Sequence, residues 1–322
     1  MKTKITTSVL EAARFILKGE LVAFPTETVY GLGANVFEEE AIRKIFAVKG
    51  RPADNPLIVH IAHFSELGIL AKRITKYAEK FIEHFFPGPL TVILPRSKFV
   101  PKVVSAGLDT VAVRMPAHQV AHRFLEACGV SIAAPSANLS GKPSPTTWQA
   151  VKADLGGKIS CILKDEQSQI GLESTVVDCT GNTPLVMRLG AVTLEDLQVV
   201  VPETKLYKPK NLKAPKSPGM KYRHYAPDAP LTIITSPAEI ASPNSTAAYI
   251  GLDALPKGIE VAKKKICTSL QEYAHSLYRF LRECDQRGIE RIYCQAVPEQ
   301  GIGLAIMDRL RKAATPDSST HH

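Results

Sequence analysis

The sequence predicts an α/β fold: a mixed sheet with flanking helices, followed across a linker by a smaller α/β domain. Three observations predict it. Short apolar runs alternate with amphipathic runs of helical period from Thr6 to Val199. Periodicity stops between Pro202 and Asp228, where prolines and lysines accumulate, and alternation resumes from Leu231. The 322 residues, 45% of them hydrophobic, suffice for two cores rather than one. The expected division is residues 1–202, a basic linker at 203–228, a small domain at 229–314 and a tail at 315–322.

Thr6-Thr-Ser8 caps a helix from Val9 to Leu17, which Gly19 stops. The strand Leu21–Phe24 ends at Pro25, and the turn after it carries Thr26, Glu27, Thr28 and Tyr30 before Gly31 and Gly33. Glu38–Val48 is a helix with acids in its first turn and Lys49-Gly50 at its end; Leu57–Ile61 is a short strand. Ser65 and Thr75 open two further helices, the second running to Phe86, before Pro87-Gly-Pro89 breaks the chain ahead of the strand Leu90–Leu94. Next come the strand Val111–Arg114, the helix Ala117–Ala127, the strand Val130–Ala134 and a polar loop, Pro135–Thr146. A helix at Trp148–Leu155 leads to strands near Ile159–Leu163, Ser174–Asp178 and Leu185–Arg188, and Thr193 with Asp196 forms a capping box for a helix to Val199. In the second domain, strands at Leu231–Thr235, Ala247–Ile250 and Arg291–Cys294 alternate with helices at Ser269–Cys284 and Leu304–Ala313.

Residues able to bind gather at strand ends. Lys49 and Arg51, with Asn55 on a proline-bounded exit, suit a triphosphate, whose charge must be neutralised. They suit a plain helix C-terminus as well, where cations complement the dipole. His60 ends the strand that follows. Ser136, Asn138, Ser140-Gly141 and Ser144 offer hydroxyls, an amide and backbone N–H groups to a phosphate or nucleobase, or make an ordinary polar turn. Arg114 and Arg188 each end an apolar strand, where arginines snorkel at an edge or clamp an anion bidentately. Glu173-Ser174-Thr175 brings hydroxyls to a strand start, with capping as the plain alternative. Ser217-Pro-Gly-Met-Lys-Tyr-Arg-His-Tyr225 interleaves aromatic and basic residues, which a solvated hinge does not require. No Ser-His-Asp or Cys-His arrangement, dinucleotide fingerprint or metal-binding carboxylate pair emerges.

The net charge of +9 is concentrated. Lys205, Lys208, Lys210, Lys213, Lys216, Lys221 and Arg223 have no acid among them, and without these seven the chain carries +2. That argues against a nucleic-acid-coating surface and for a local need, beside an anionic ligand or an RNA backbone. Six scattered cysteines without a C-x-x-C pair point to reduced thiols rather than zinc or disulfides. Neither a signal pattern nor a spanning apolar run is present, so the expected location is the cytoplasm.

Taken together, Phe24-Pro-Thr-Glu-Thr-Val-Tyr-Gly-Leu-Gly33, Lys49-Gly-Arg-Pro52, Asn55-Pro-Leu-Ile-Val-His60, Pro87-Gly-Pro-Leu-Thr91, Val113-Arg-Met-Pro116 and Pro135-Ser-Ala-Asn-Leu-Ser-Gly141 resemble the YrdC-like family of threonylcarbamoyl-adenylate synthases. The resemblance covers about residues 7–200, and Lys49, Arg51, Ser136 and Asn138 meet the family's Lys-x-Arg and Ser-x-Asn signature. Ser217–Pro227 and the domain beyond look like the longer, two-domain form. The resemblance implies a YrdC-like twisted mixed sheet, then a smaller Rossmann-like α/β domain. It implies a nucleotidyltransferase that makes threonylcarbamoyl-AMP and pyrophosphate from L-threonine, bicarbonate or CO2, and ATP. Mg²⁺ would be bound mainly through ATP. The product would serve threonylcarbamoyl-transferase proteins that modify tRNA beside the anticodon. Thr28, His60, Arg114 and Ser174, or its neighbour Thr175, would hold threonine. Arg51, Asn55, Thr110, Ala134, Ser136, Asn138, Ser144, Arg188 and Tyr225 would line the ATP site, with Lys49 and Arg51 as catalytic cations. A carbamate decomposes in water, so such a site should close, and the linker with its basic and aromatic residues is the expected lid. Two other readings stay open. One is an RNA-binding or ribosome-associated protein that uses a basic cavity without chemistry; the other is a carbamoyl-adenylate enzyme of the hydrogenase-maturation kind, which no acylphosphatase-like or zinc-finger segment supports.

Overall fold

Short apolar segments bounded by Pro, Gly and capping residues become strands and helices throughout residues 2–208, 225–240 and 244–314, which the computed structural model describes. Eleven strands belong to the first sheet: β1 (Lys4–Thr6), β2 (Val22–Phe24), β3 (Gly31–Asn35), β4 (Ile58–His60), β5 (Leu90–Pro95), β6 (Thr110–Arg114), β7 (Ile132–Ala134), β8 (Cys161–Leu163), β9 (Thr175–Asp178), β10 (Leu185–Arg188) and β11 (Lys205–Leu206). Their order is β1-β8-β2-β3-β7-β4-β6-β5-β9-β10-β11, with parallel and antiparallel pairs mixed. Flanking helices are α1 (Val9–Ile16), α2 (Glu39–Lys49), α3 (Leu67–Leu70), α4 (Lys76–Phe85), α5 (Gln119–Cys128), α6 (Trp148–Leu155) and α7 (Leu194–Val200). Beyond them, β12 (Leu231–Ile234), β13 (Asn244–Gly251), β14 (Val261–Ile266) and β15 (Arg291–Gln295) form an all-parallel sheet of order β12-β15-β13-β14, with α8 (Leu270–Gln286) and α9 (Ile302–Ala314).

The caps explain the helix starts. Ser8, Thr75, Thr147 and Ser269 each accept a backbone N–H three residues on, and Thr193 with Asp196 completes a reciprocal box. Several features differ from the sequence reading, among them β1, which the sequence reading lacks and which pairs with β8. Gly31–Asn35 is not part of the turn but a strand antiparallel to β2; a Cβ on Gly33 would lie 2.7 Å from Ile132 Cγ2, so tight strand packing selects the glycine. Ser65 does not open a helix, because a 3₁₀ turn at Phe64–Glu66 precedes α3. β11 lies in the stretch expected as linker and pairs with β10. β14 escapes notice because three lysines fill it, a composition that protects an edge strand while masking its pattern.

Strand alternation sorts side chains between two faces. Leu57, Val59, Ile61, Val111, Val113, Val177 and Val186 join the main core with α2, α4, α6 and α7. On the other face, α1 and α5 cover Val22, Phe24, Ile132 and Ala134. The remainder of that face is a small apolar floor of Ile58, Ile93, Ala112, Val176 and Met187, with no helix residue among them. The second core joins α8, α9, β13 and β15 to Val29, Leu172 and Tyr225, and helices α8 and α9 make the hydrogen bonds to turns of the first domain. Gly171 permits this approach: its φ is +83°, and a Cβ there would lie 2.6 Å from His275 Cα. All six cysteines are free and buried, and among the described residues no helix is long and apolar enough to cross a membrane.

Candidate active site

A cleft opens beside Ile58, at the edge of the apolar floor, walled by the turns at the strand ends. Parallel pairing of β4 with β6 sets His60 beside Arg114, and alternation points Ile58 to the same face as His60 while Val59 enters the core. Arg188 needs a further device. Strict alternation would send it to the core side taken by Val186, but the β9–β10 register shifts between Val186 and Arg188. The extra residue, Met187, lies on the floor and lets Arg188 reach the cleft.

Among the described residues five cations line the cleft, Lys49, Arg51, Arg114, Lys142 and Arg188, with one carboxylate, Glu173; Arg114 is paired from behind by Glu27, and Lys142 by Asp228. Lys49 ends α2, yet its Nζ donates to the carbonyls of Ser136 (2.6 Å) and Asn138 in the loop after β7, not to its own helix. Arg51 donates to the carbonyls of Asn55 (3.3 Å) and Pro56 (3.0 Å). Arg188 donates twice to Ser174, to its carbonyl and its hydroxyl, both at 3.0 Å. Arg114 donates to Thr28 Oγ1 at 2.8 Å and to Gly88 O at 3.2 Å, and its Nη2 lies 2.7 Å from Glu27 Oε1.

Burial disfavours charge here. It pushes Lys49 well below the ordinary lysine value, with the Arg51 guanidinium adding to the effect. Burial and then Arg188 bring Arg51 down to about 10. Burial and then Arg114 bring His60 down to about 3, so its imidazole is neutral at physiological pH; it packs edge-on against Phe24 at 5.7 Å. For Glu173, burial pushes upward, but Arg309 and Arg188 outweigh it and hold the carboxyl at about 2. An arrangement with crowded, under-solvated cations and one neutralised acid favours a polyanion.

Hydroxyls fill the spaces between the charges. Thr26 and Thr28 share a bond at 2.8 Å, Ser174 and Thr91 another at 2.8 Å, and Ser136 donates to Asn138 Oδ1 at 2.6 Å. Ser144 donates to Glu173 Oε1 at 2.5 Å.

Of the residues expected from the sequence, Thr28, Lys49, Arg51, His60, Arg114, Ala134, Ser136, Asn138, Ser144, Ser174, Arg188 and Tyr225 all line this one cleft. Asn55 and Thr110 do not. Asn55 contributes its carbonyl to Arg51 while its buried Oδ1 has no hydrogen-bond partner, and Thr110 starts β6, at the far end from Arg114, beside a separate hollow with Ser105 and Leu108. Thr175, the alternative to Ser174, donates to Val192 O at 2.5 Å on the core side. Tyr30, Ile58, Lys142 and Glu173 also line the cleft without having been assigned there from the sequence. An acid immediately before two hydroxyls was the available signal for Glu173. The residues of the expected lid from Ser217 to His224 lie outside the described residues.

Residues 14–190 match the Sua5/YciO/YrdC family, described as telomere recombination, and residues 192–315 match the threonylcarbamoyl-AMP synthase C-terminal domain. The chain is 46% identical to the threonylcarbamoyl-AMP synthase of Pyrococcus abyssi, over 94% of this chain and 93% of that one, and 42% identical to that of Bacillus subtilis, over 95% and 92%. Among solved structures, a double-alanine variant of P. abyssi Sua5 superposes with a TM-score of 0.88 at 41% identity, covering 98% of this chain and 96% of that one. P. abyssi Sua5 complexed with L-threonine gives 0.86 at 42%, covering 97% of each. With matching motifs, matching fold and matches over nearly its whole length, the chain belongs to the YrdC-like threonylcarbamoyl-AMP synthase family in its two-domain form.

Proposed function

We propose that the chain is an L-threonylcarbamoyladenylate synthase, converting L-threonine, bicarbonate or CO2, and ATP into threonylcarbamoyl-AMP and pyrophosphate. The observation that carries this reading is the excess of cations among the described residues of the cleft, five against one lining carboxylate that is already engaged. The likeness to a protein solved with L-threonine supports the choice of amino acid.

In this reading Arg114, oriented by Glu27 and Thr28, receives the threonine carboxylate, with His60 and Ser174 beside it. A neutral His60 adds no charge to repel the substrate's ammonium. Lys49, Arg51 and Arg188, with Ala134, Ser136, Asn138, Ser144 and Tyr225, hold the nucleotide. The free amine of threonine attacks the carbon of CO2 and loses a proton, giving a carbamate. A carbamate oxygen then attacks the α-phosphorus, the bond from that phosphorus to the bridging oxygen breaks, and pyrophosphate leaves with the electron pair. The nucleophile is already anionic, so the step requires positioning and charge neutralisation rather than a general-base dyad.

The donor set suits Mg²⁺ as an ion carried by the nucleotide. Among the described residues no three His, Cys, Asp or Glu side chains cluster for a metal, and Glu173 is occupied by Ser144, Tyr278 and Arg309. The product would pass to threonylcarbamoyl-transferase proteins acting on tRNA in the cytoplasm, a setting that keeps six buried thiols reduced.

The test is pyrophosphate release from ATP with Mg²⁺, omitting threonine and bicarbonate in turn. Dependence on both is expected. Release that ignores threonine, or no release at all, overturns the reading.

A further inference from the structure

We infer that Arg309, on α9 of the second domain, is a positioning residue for the nucleotide side of the cleft, so that the small domain completes the site. The inference rests on the synthase reading above and deepens it.

Arg309 is fully buried, far from the cleft in sequence, and bonded to three groups that shape it. Its Nε donates to Glu173 Oε2 at 3.0 Å and to the Tyr278 hydroxyl at 3.1 Å, and its Nη2 donates to Leu189 O at 2.7 Å. Leu189 follows Arg188; Glu173 precedes Ser174, the residue that accepts both Arg188 hydrogen bonds. One guanidinium therefore ties together the two backbone segments that present Arg188. The other oxygen of Glu173 takes the Ser144 hydroxyl, extending the same network into the polar loop.

Arg309 also supports Tyr225. Its guanidinium carbon lies 5.0 Å from the centre of the Tyr225 ring, which stacks on Tyr278 at 5.3 Å. Tyr225 has φ +65°, a backbone conformation that a bulky residue keeps only where its surroundings impose it. Simple adhesion between the domains does not require Arg309: Arg282 already binds Pro143 O and Asp154, and His275 meets Gln169 O. What Arg309 adds is a buried positive charge shared between Glu173, which lines the cleft, and its own neighbour Asp308, so removing it leaves both carboxylates short of a partner.

Arg309→Met removes the charge and keeps most of the stem. Calorimetry on the full-length variant is expected to show the ATP dissociation constant raised about tenfold or more, the scale for truncating one partner of a buried charge pair. That of L-threonine should change less than that of ATP, because Arg114 and Thr28 are outside the network and only Ser174 belongs to both. Adding Glu173→Gln should recover part of the ATP affinity by removing the orphaned carboxylate. Unchanged ATP binding, equal loss of both ligands, or no recovery in the double variant overturns the inference. Should Arg309→Met not fold, Tyr278→Phe decides: loss of one hydroxyl from the network should weaken ATP about threefold, the scale of a single hydrogen bond, and no change overturns the inference. Wild-type ATP binding without threonine-dependent pyrophosphate release would remove the synthase reading and leave the role of Arg309 standing, whereas wild type that binds no ATP sinks both.

Discussion

Lys49 shows how one buried charge can be tuned for a ligand. Free of nucleotide, burial and Arg51 make its proton less tightly held than in an ordinary lysine. A polyphosphate alongside would reverse that, so the complex binds more protons than the free protein, and linkage makes ATP affinity fall as pH rises between the two values. Titration of ATP in buffers of different ionisation enthalpy should show proton uptake, up to about one proton, that vanishes in Lys49→Met. Lys49→Ala and Arg51→Ala should each lower threonine- and bicarbonate-dependent pyrophosphate release by about a hundredfold or more while circular dichroism stays native. Wild-type rates in either would return these cations to the role of helix caps. Lys49, Arg51, Ser136 and Asn138 stand out in the sequence because prolines, glycines and polar side chains crowd their turns, but the residues alone leave a helix cap and a polar turn open, and it is the family resemblance that singles them out. Ile58 does not stand out, since Leu57–Ile61 is a nearly unbroken apolar run that hides which residues face the cleft. Glu173 acquires its meaning only through Arg309, 136 residues away, and no local pattern announces such a pair.

Among the elements, those with a local chemical signal were readable and those defined by a neighbour were not. The helices from Val9, Thr147, Thr193 and Ser269 announce themselves through caps, whereas β1 and β11, of three and two residues, exist because β8 and β10 offer them ladders. The bulge at Met187 is likewise invisible in Leu185–Leu189, yet it decides which face Arg188 occupies. Just beyond it, Gly190 lets β10 pass against the turn carrying Glu173 and Ser174. A Cβ at this position would stand 2.4 Å from both Glu173 O and Thr175 N, backbone atoms that cannot swing aside. Gly190→Ala should therefore destabilise the protein by about 1–3 kcal/mol, the cost of overpacking a tight site. It should also weaken ATP binding by displacing Ser174 from Arg188. Thermal unfolding and ATP calorimetry on one preparation check both effects, and a native midpoint would mean that the turn yields without strain.

At the scale of the whole molecule, helix α9 of the second domain meets the turn before β9 through a pair whose strength depends on pH. Glu173 titrates at about 2 in the folded protein against an ordinary value of 4.5. Its folded value is depressed, so its stabilising contribution is complete above about 4.5 and is lost as pH falls towards about 2. A shift of that size corresponds to roughly 3 kcal/mol. Arg309 and Tyr278, which hold this carboxylate, both come from the second domain, so acid should loosen the contact between domains before either core melts. The molecule carries its own reporter: Trp148, its sole tryptophan, lines a groove shared with Arg279, Arg282 and Gln286 of α8. Between pH 4.5 and 2, Trp148 emission should change ahead of far-ultraviolet circular dichroism. The Asp154–Arg282 pair lies beside the same groove, so the comparison with Glu173→Gln isolates the Glu173–Arg309 pair. In that variant the early step should disappear, because the glutamine cannot gain a proton and its contact with Arg309 no longer varies with acid. A single coincident transition in both proteins would mean that the domains unfold together and that the Glu173–Arg309 pair does not set the order in which they part.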